Sequence, residues 1–382
     1  MKEREILQQA YQQAQSLNIE EFDWNIRKDV DVLIENIEKN KSLVAAVITS
    51  LLKKIVQPTQ DIRLHRTDFE QGYSARILDT QVTTPFFKEK FPRYANKETA
   101  FLTLATRERI RWDKQEGQNL KIRNQLLKES FLNIFEQIEV HQANPQMYLH
   151  YILAKLIHLS SQENQTIDYL NLSITCSKIN IYSVLQLLKE FFSTPQSSRL
   201  PVIAIYSIYE VLMNKFERYK DKKLLPLQVH TSPDKHTLGD IEIYTESNQP
   251  FEIIEIKHNI PIEKNIILDV CKKISNLPVN RYYILTTFEN TFSDAETEMQ
   301  IVSYISEILK QTGTEIIVNG IIASLKYYLR FIDDYTMFLQ SYTDNLKTDF
   351  LNSTEIKSFH LSVWQELLEK YEILFQNQNK LE

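Results

Sequence analysis

One change of rhythm constrains this chain more than any other feature. Up to about residue 192, outside residues 61–93, its apolar residues recur at helical spacing. Beyond STPQSSRLP (Ser193–Pro201) they fall into short runs and alternations divided by turn residues. A 3.6-residue period and a 2-residue period bury different faces, so the two stretches cannot build the same kind of layer. Before the change, Ile26, Val30, Leu33, Ile34 and Ile37 mark a helix, and Leu43–Val56 marks another that Pro58 stops. Residues 61–93, punctuated by Gly72, Thr80, Thr83, Thr84, Pro85 and Pro92, read as strand and loop. Residues 98–115 read as helix, and 118–191 as amphipathic helices broken near Asn144–Pro145 and Ser161–Gln165.

After the change, Val202–Asp221 reads as one helix, and Leu227–His230, Asp240–Tyr244 and Phe251–Lys257 as three strands. Helix Ile262–Ser275, strand Tyr282–Thr287, helix Asp294–Gln311, strand Glu315–Val318 and helix Ile321–Leu339 follow, with a terminal helix around LSVWQELLEKYEILF. The expected class is α+β (mixed α/β): a mixed central sheet flanked by helices, behind a large, mainly helical N-terminal region. Ser193–Pro201 is the expected linker. It divides a helical region at 1–195 from a sheet domain at 196–345, with a terminal segment at 346–382.

Composition removes several classes. In 382 residues, 43% are hydrophobic and 25% charged, which is globular rather than disordered or fibrous. The five glycines never fall at the spacing of a P-loop or a dinucleotide fingerprint. Two cysteines, Cys176 and Cys271, suit neither a cysteine zinc site nor a disulfide framework and point to a reducing compartment. The opening MKEREILQQAYQQAQ lacks an apolar signal core, and no run of about 18 apolar residues occurs. The expectation is a soluble, cytoplasmic protein with no membrane partner. Net charge is −6, yet residues 61–128 carry 14 Lys and Arg against 9 Asp and Glu, and residues 201–382 carry 18 against 26. A basic segment beside an acidic one suits a phosphate-binding surface near a carboxylate metal centre.

One constellation carries chemistry: GDIEIYTESNQPFEIIEIKH, residues 239–258. Two strand patterns flank turn residues, so it reads as a hairpin. Pairing outward from a turn centred on Ser247–Asn248 sets Asp240 opposite Glu255, a separation of about 4.5–5.5 Å between Cβ atoms. Lys257 follows two residues on, on the same face. Two carboxylates that close repel, and one is driven to protonate unless a cation intervenes. Hard oxygen ligands with room for water select Mg²⁺, which can acidify a bound water and neutralise a phosphate in transition.

The pattern Asp240-x14-Glu255-x-Lys257, within an α-β-β-β-α-β order, resembles the PD-(D/E)xK nuclease superfamily over about residues 201–320. Leu238-Gly239 stands where the leading Pro-Asp pattern places its proline. The resemblance implies that Asp240 and Glu255 are metal ligands and Lys257 the catalytic lysine. It also implies a further carboxylate on the preceding helix, where Glu210 is the candidate ahead of Glu217. Upstream, Arg63, Arg66, Arg76, Arg107, Arg109 and Arg111 form a candidate DNA-binding set, since arginines clamp phosphates and read guanine edges. SARILDTQVTTPFFK within that stretch loosely resembles segments of bacterial type II restriction endonucleases. The competing reading is ordinary salt bridges with Asp68, Asp79 and Glu108. His258 adjoins the lysine as a candidate phosphate contact. His230 and His236 read as structural, because no His-Asn-His spacing accompanies them.

The resemblance implies a type II restriction endonuclease: Mg²⁺-dependent cleavage of double-stranded DNA giving 5′-phosphate ends. Such an enzyme is expected to act as a homodimer and beside a cognate DNA methyltransferase. Two alternatives stand: a defence or repair nuclease of looser specificity, and an inactive DNA-binding module on the same fold.

Overall fold

The computed structural model describes residues 2–169, 173–175, 179–227, 238–275, 277 and 279–376. The chain forms two compact units, residues 1–165 with 351–354, and residues 166–350 with 355–382.

The first unit is helical: α1 (Lys2–Ala14), α2 (Trp24–Glu35), α3 (Ile37–Val56), α4 (Ala75–Leu78), α5 (Thr84–Lys90), α6 (Gln125–Glu139) and most of α7 (Pro145–Tyr169). The expected strand in 61–93 is absent; α4, a π-helical turn at Asp79–Thr83 and α5 take its place. Long-range bonding explains the difference. Asp79 is fully buried, and its carboxylate accepts from Thr84 Oγ1 (3.0 Å), Thr99 Oγ1 (2.5 Å) and the Ala100 amide (2.7 Å). Pro85 sits in the first turn of α5, where a missing N–H leaves nothing unpaired. The expected helix at 98–115 shrinks to a 3₁₀ turn at Ala100–Leu102. There the Trp112 amide bonds the Arg63 carbonyl, and the Trp112 indole stacks on His65 at 4.0 Å.

The second unit is α plus β. Its elements are β1 (Ser173–Thr175), α8 (Ile181–Phe192), α9 (Arg199–Leu212), β2 (Lys222–Leu224), β3 (Ile241–Thr245), β4 (Pro250–Lys257) and α10 (Lys264–Ile274). Then come β5 (Arg281–Thr286), α11 (Ala295–Thr312), β6 (Glu315–Gly320), α12 (Ile321–Leu329), α13 (Tyr335–Asn352), α14 (Ser358–Lys370) and β7 (Leu374–Gln376). A five-stranded mixed sheet runs β2-β3-β4-β5-β6, antiparallel across β2-β3-β4 and parallel across β4-β5-β6; β1 and β7 pair separately.

Ser193–Pro201 lies inside this unit rather than between units, as a turn over 193–198 that runs into the start of α9. Ser197 is buried there and donates to the Phe192 carbonyl at 2.6 Å. The single helix expected over Val202–Asp221 ends at Leu212 and gives way to 3₁₀ turns. Of the strand expected at Leu227–His230, residues 228–230 lie outside the described residues; among the described residues the sheet ends at Lys222–Leu224. The helix expected over Ile321–Leu339 breaks, because the Asp334 carboxylate caps a new start by accepting from the Thr336 amide at 2.9 Å.

Alternation along β4 sorts the core. Ile254 and Ile256 face the layer of α8, α9, α12, α13 and α14, whereas Ile253 faces α10 and α11. Glu255 and Lys257 follow Ile253 in phase, so two charged side chains continue an apolar row.

Candidate active site

The hairpin register holds as expected. Ile241 pairs with Ile254, Glu242 with Ile253 and Ile243 with Glu252; the pairing ends there, and Asp240, one residue outside the strand, lies against Ile254–Ile256 of β4, beside Glu255. A bulge between Ile243 and Tyr244 absorbs the odd residue of the turn, where Asn248 takes φ 57°, tolerable for asparagine. Asp240 is fastened at both ends. Its amide donates to the Ile254 carbonyl (2.9 Å), and its Oδ2 accepts from the Ile256 amide (2.7 Å). Gly239 makes that approach possible: a Cβ there would lie 2.8 Å from the Ile254 carbonyl oxygen and 2.5 Å from Ile253 Cγ2.

Glu255 is 9% exposed and engaged on both oxygens. Lys257 Nζ lies 2.6 Å from Oε1, and Lys273 Nζ on α10 lies 2.8 Å from Oε2. The Tyr282 hydroxyl donates to the Leu238 carbonyl at 2.6 Å and reaches Glu255 Oε2 at 3.4 Å.

The two carboxylates titrate apart. Burial first, then the charge of Glu255, pushes Asp240 up to about 6 against the pull of the Ile256 amide and Lys257. Burial raises Glu255 too, but Lys273 and Lys257 outweigh it and hold the group below the usual carboxylate range. Asp240 Oδ1 accepts no hydrogen bond from any described residue. Among the described residues no group of three or more His, Cys, Asp or Glu converges on a metal position. Two hard carboxylates, one of them short of positive charge, suit Mg²⁺, which takes one or two protein carboxylates and completes its shell with water and phosphate.

Glu210 does not join this group. It is exposed on α9, and its Oε2 accepts from Ser341 and Asn345 on α13. Glu217 is exposed and pairs with Lys220. His258 follows β4 within a structural network: Nδ1 lies 3.0 Å from Thr287 Oγ1 and Nε2 3.1 Å from Ser197 Oγ, and burial lowers its pKa. His230 and His236 lie outside the described residues.

The arginines belong to the first unit and are largely occupied. Arg63 and Arg111 both pair with Asp61 at 2.9 Å. Arg66 pairs with Asp68 at 2.8 Å and donates to the Arg107 carbonyl. Arg109 donates to the Asp68 carbonyl and lies over the Phe69 ring. Arg76 and Arg107 are exposed, and their side chains form no ion pair among the described residues.

Two features escaped the sequence reading. Lys273 reads as an ordinary cation near a helix C-terminus, although its position beside Ile274 and three residues after Val270, both buried, places it at the edge of the sheet-facing side. Glu252, fully buried, accepts from Tyr209 (2.7 Å), Tyr219 (3.0 Å) and Arg218 (3.0 Å), none of them near it in sequence.

Compared with known proteins, the chain matches no protein-family model and no curated sequence.

Proposed function

We propose that this chain is a metal-dependent nuclease of the PD-(D/E)xK kind, and specifically a type II restriction endonuclease that cuts double-stranded DNA as a homodimer beside a protective methyltransferase. The observation that carries the reading is the hydrogen bonding of Asp240 to Ile254 and Ile256, the two residues flanking Glu255, with Lys257 Nζ 2.6 Å from Glu255. The succession α9-β2-β3-β4-α10-β5 supports it, being the α-β-β-β-α-β order of that superfamily core.

Asp240 and Glu255 would hold Mg²⁺, which supplies an acidified water and neutralises charge on the phosphate. Lys257 would orient the attacking water through its ammonium and donate to the oxygen charge that grows as the bond forms. Water oxygen bonds to phosphorus in line, the 3′-oxygen leaves with a proton, and a 5′-phosphate remains.

One observation favours a second reading. Both Glu255 oxygens already meet ammonium groups, as a permanently neutralised centre in a DNA-binding module also requires. Digestion of a mixed plasmid population separates the readings. Discrete Mg²⁺-dependent fragments, lost in Asp240→Ala and Lys257→Ala with binding retained, support the restriction enzyme. Smearing points to a nuclease of loose preference. No cutting by wild type, with DNA still bound, leaves the binding module.

A further inference from the structure

Lys257 and Lys273 reach the same carboxylate by different routes. Lys257 lies two positions along β4 from Glu255, so the pleat itself sets that contact. Lys273 comes from α10, across the face of the sheet, on a four-carbon arm whose side chain is 36% exposed. Together they balance the charge: two carboxylates, two ammonium groups. The balance is uneven, because both ammoniums bond Glu255 and neither bonds Asp240. A cation held between the carboxylates needs a lone pair on Glu255, and the contact easier to give up is the one from the neighbouring helix.

We propose that Lys273 is a second functional lysine of this centre. It acts as a resident counter-ion that competes with the divalent cation for Glu255, and once displaced it meets a phosphate oxygen of the nucleic acid. The proposal rests on the metal-dependent nuclease reading. Its chemistry is an exchange of partners with no covalent step: cation for ammonium on Glu255, phosphate for Glu255 on the ammonium. A compact, hydrated ammonium on a flexible stem suits such an exchange better than a guanidinium fork.

The test compares Lys273→Met with wild type, with Lys272→Met as control; Lys272 is exposed and, among the described residues, pairs only with Asp269, at 3.0 Å. Mn²⁺ affinity of the full chain is read first, by the paramagnetic signal of the free ion. Lys273→Met is expected to bind about threefold or more tighter, as suits removal of a part-exposed competing ion pair, and Lys272→Met as wild type. Duplex binding is then measured by anisotropy across a salt series. In Ca²⁺ the slope of log K against log salt is expected to be smaller by about one in Lys273→Met than in wild type. In EDTA, where Lys273 remains on Glu255, the two slopes agree. Mn²⁺ affinity unchanged or weakened in Lys273→Met, or equal slopes in Ca²⁺, overturns the proposal, as does failure of Asp240→Ala to weaken Mn²⁺ binding. Tighter Mn²⁺ binding and the slope difference without any cleavage by wild type would uphold the exchange while sinking the nuclease.

Discussion

Strand β4 carries two buried glutamates three residues apart, on opposite faces of the sheet, and their surroundings differ in kind. Glu252 is sealed: two tyrosine hydroxyls and one guanidinium satisfy it, and none of its surface meets solvent. Glu255 is held by two lysines whose side chains are 28% and 36% exposed, opposite a carboxylate that has too few partners. A buried charge costs several kcal/mol unless fully bonded, so Glu252 reads as closed structure. Glu255 reads as a group with exchangeable partners, which is what binding a cation requires. Asp79 in the first unit resembles Glu252 in being closed, though neutral donors close it.

The comparison breaks most readily at catalysis. Glu255→Gln is expected to lower Mg²⁺-dependent cleavage by on the order of 10³-fold, since it weakens the cation ligand and the partner of Lys257. Glu252→Gln keeps the shape of its network and is expected to leave cleavage within about threefold. Initial rates on one plasmid check both, and equal losses would erase the distinction. Stability should invert the order. Glu252→Ala strands the buried Tyr209 hydroxyl and the half-buried Tyr219 hydroxyl, while Arg218 can turn to solvent, an expected loss of about 2 kcal/mol in urea unfolding. Glu255→Ala, whose lysines can turn to solvent, should lose about 1 kcal/mol or less.

The same contrast explains what was legible beforehand. The hairpin was legible because strand patterns on either side of TESNQP fix a register, and register brings Asp240 to Glu255 by local geometry. The parallel strands β5 and β6 were legible as apolar runs between amphipathic helices. Lys273 was not, because only the return of α10 across the sheet brings it 2.8 Å from Glu255. Glu252 was hidden for the same reason: its partners lie 33 to 43 positions away in sequence. Residues 61–93 misled because Thr, Gly and Pro punctuate strands and short helices alike; the burial of Asp79 decides between them. Glu210 was placed by likeness to a family pattern, and α13 supplies it with partners that no pattern within α9 foretells.

Proton linkage sharpens the comparison without any metal. Asp240 sits at about 6 in the folded protein against an ordinary value near 3.8, so the folded state holds a proton that the unfolded chain has released. Stability from this group is therefore full below about 4, declines as pH rises towards 6, and is flat beyond. Glu255, shifted down, contributes in the opposite sense, with stability present above the usual carboxylate range and lost as pH falls through it. Urea unfolding in EDTA from pH 4 to 7 should show a decline in wild type that Asp240→Asn flattens. Equal slopes in the two proteins would mean that Asp240 is not charge-starved.

The smallest expected effect concerns the carboxylate left out of the site. Glu210 accepts from Ser341 and Asn345 on an exposed face of α9, and the carboxylate whose charge chiefly moves Asp240 is Glu255. Glu210→Ala should therefore change Mn²⁺ affinity and cleavage by less than about twofold and stability by about 0.5 kcal/mol. Had Glu210 been a ligand, its loss would cost cation affinity as Asp240→Ala does. A tenfold loss of Mn²⁺ affinity in Glu210→Ala would show that α9 turns this side chain into the site when the cation binds. The line drawn here between closed and exchangeable carboxylates would then have to pass through α9 as well as β4.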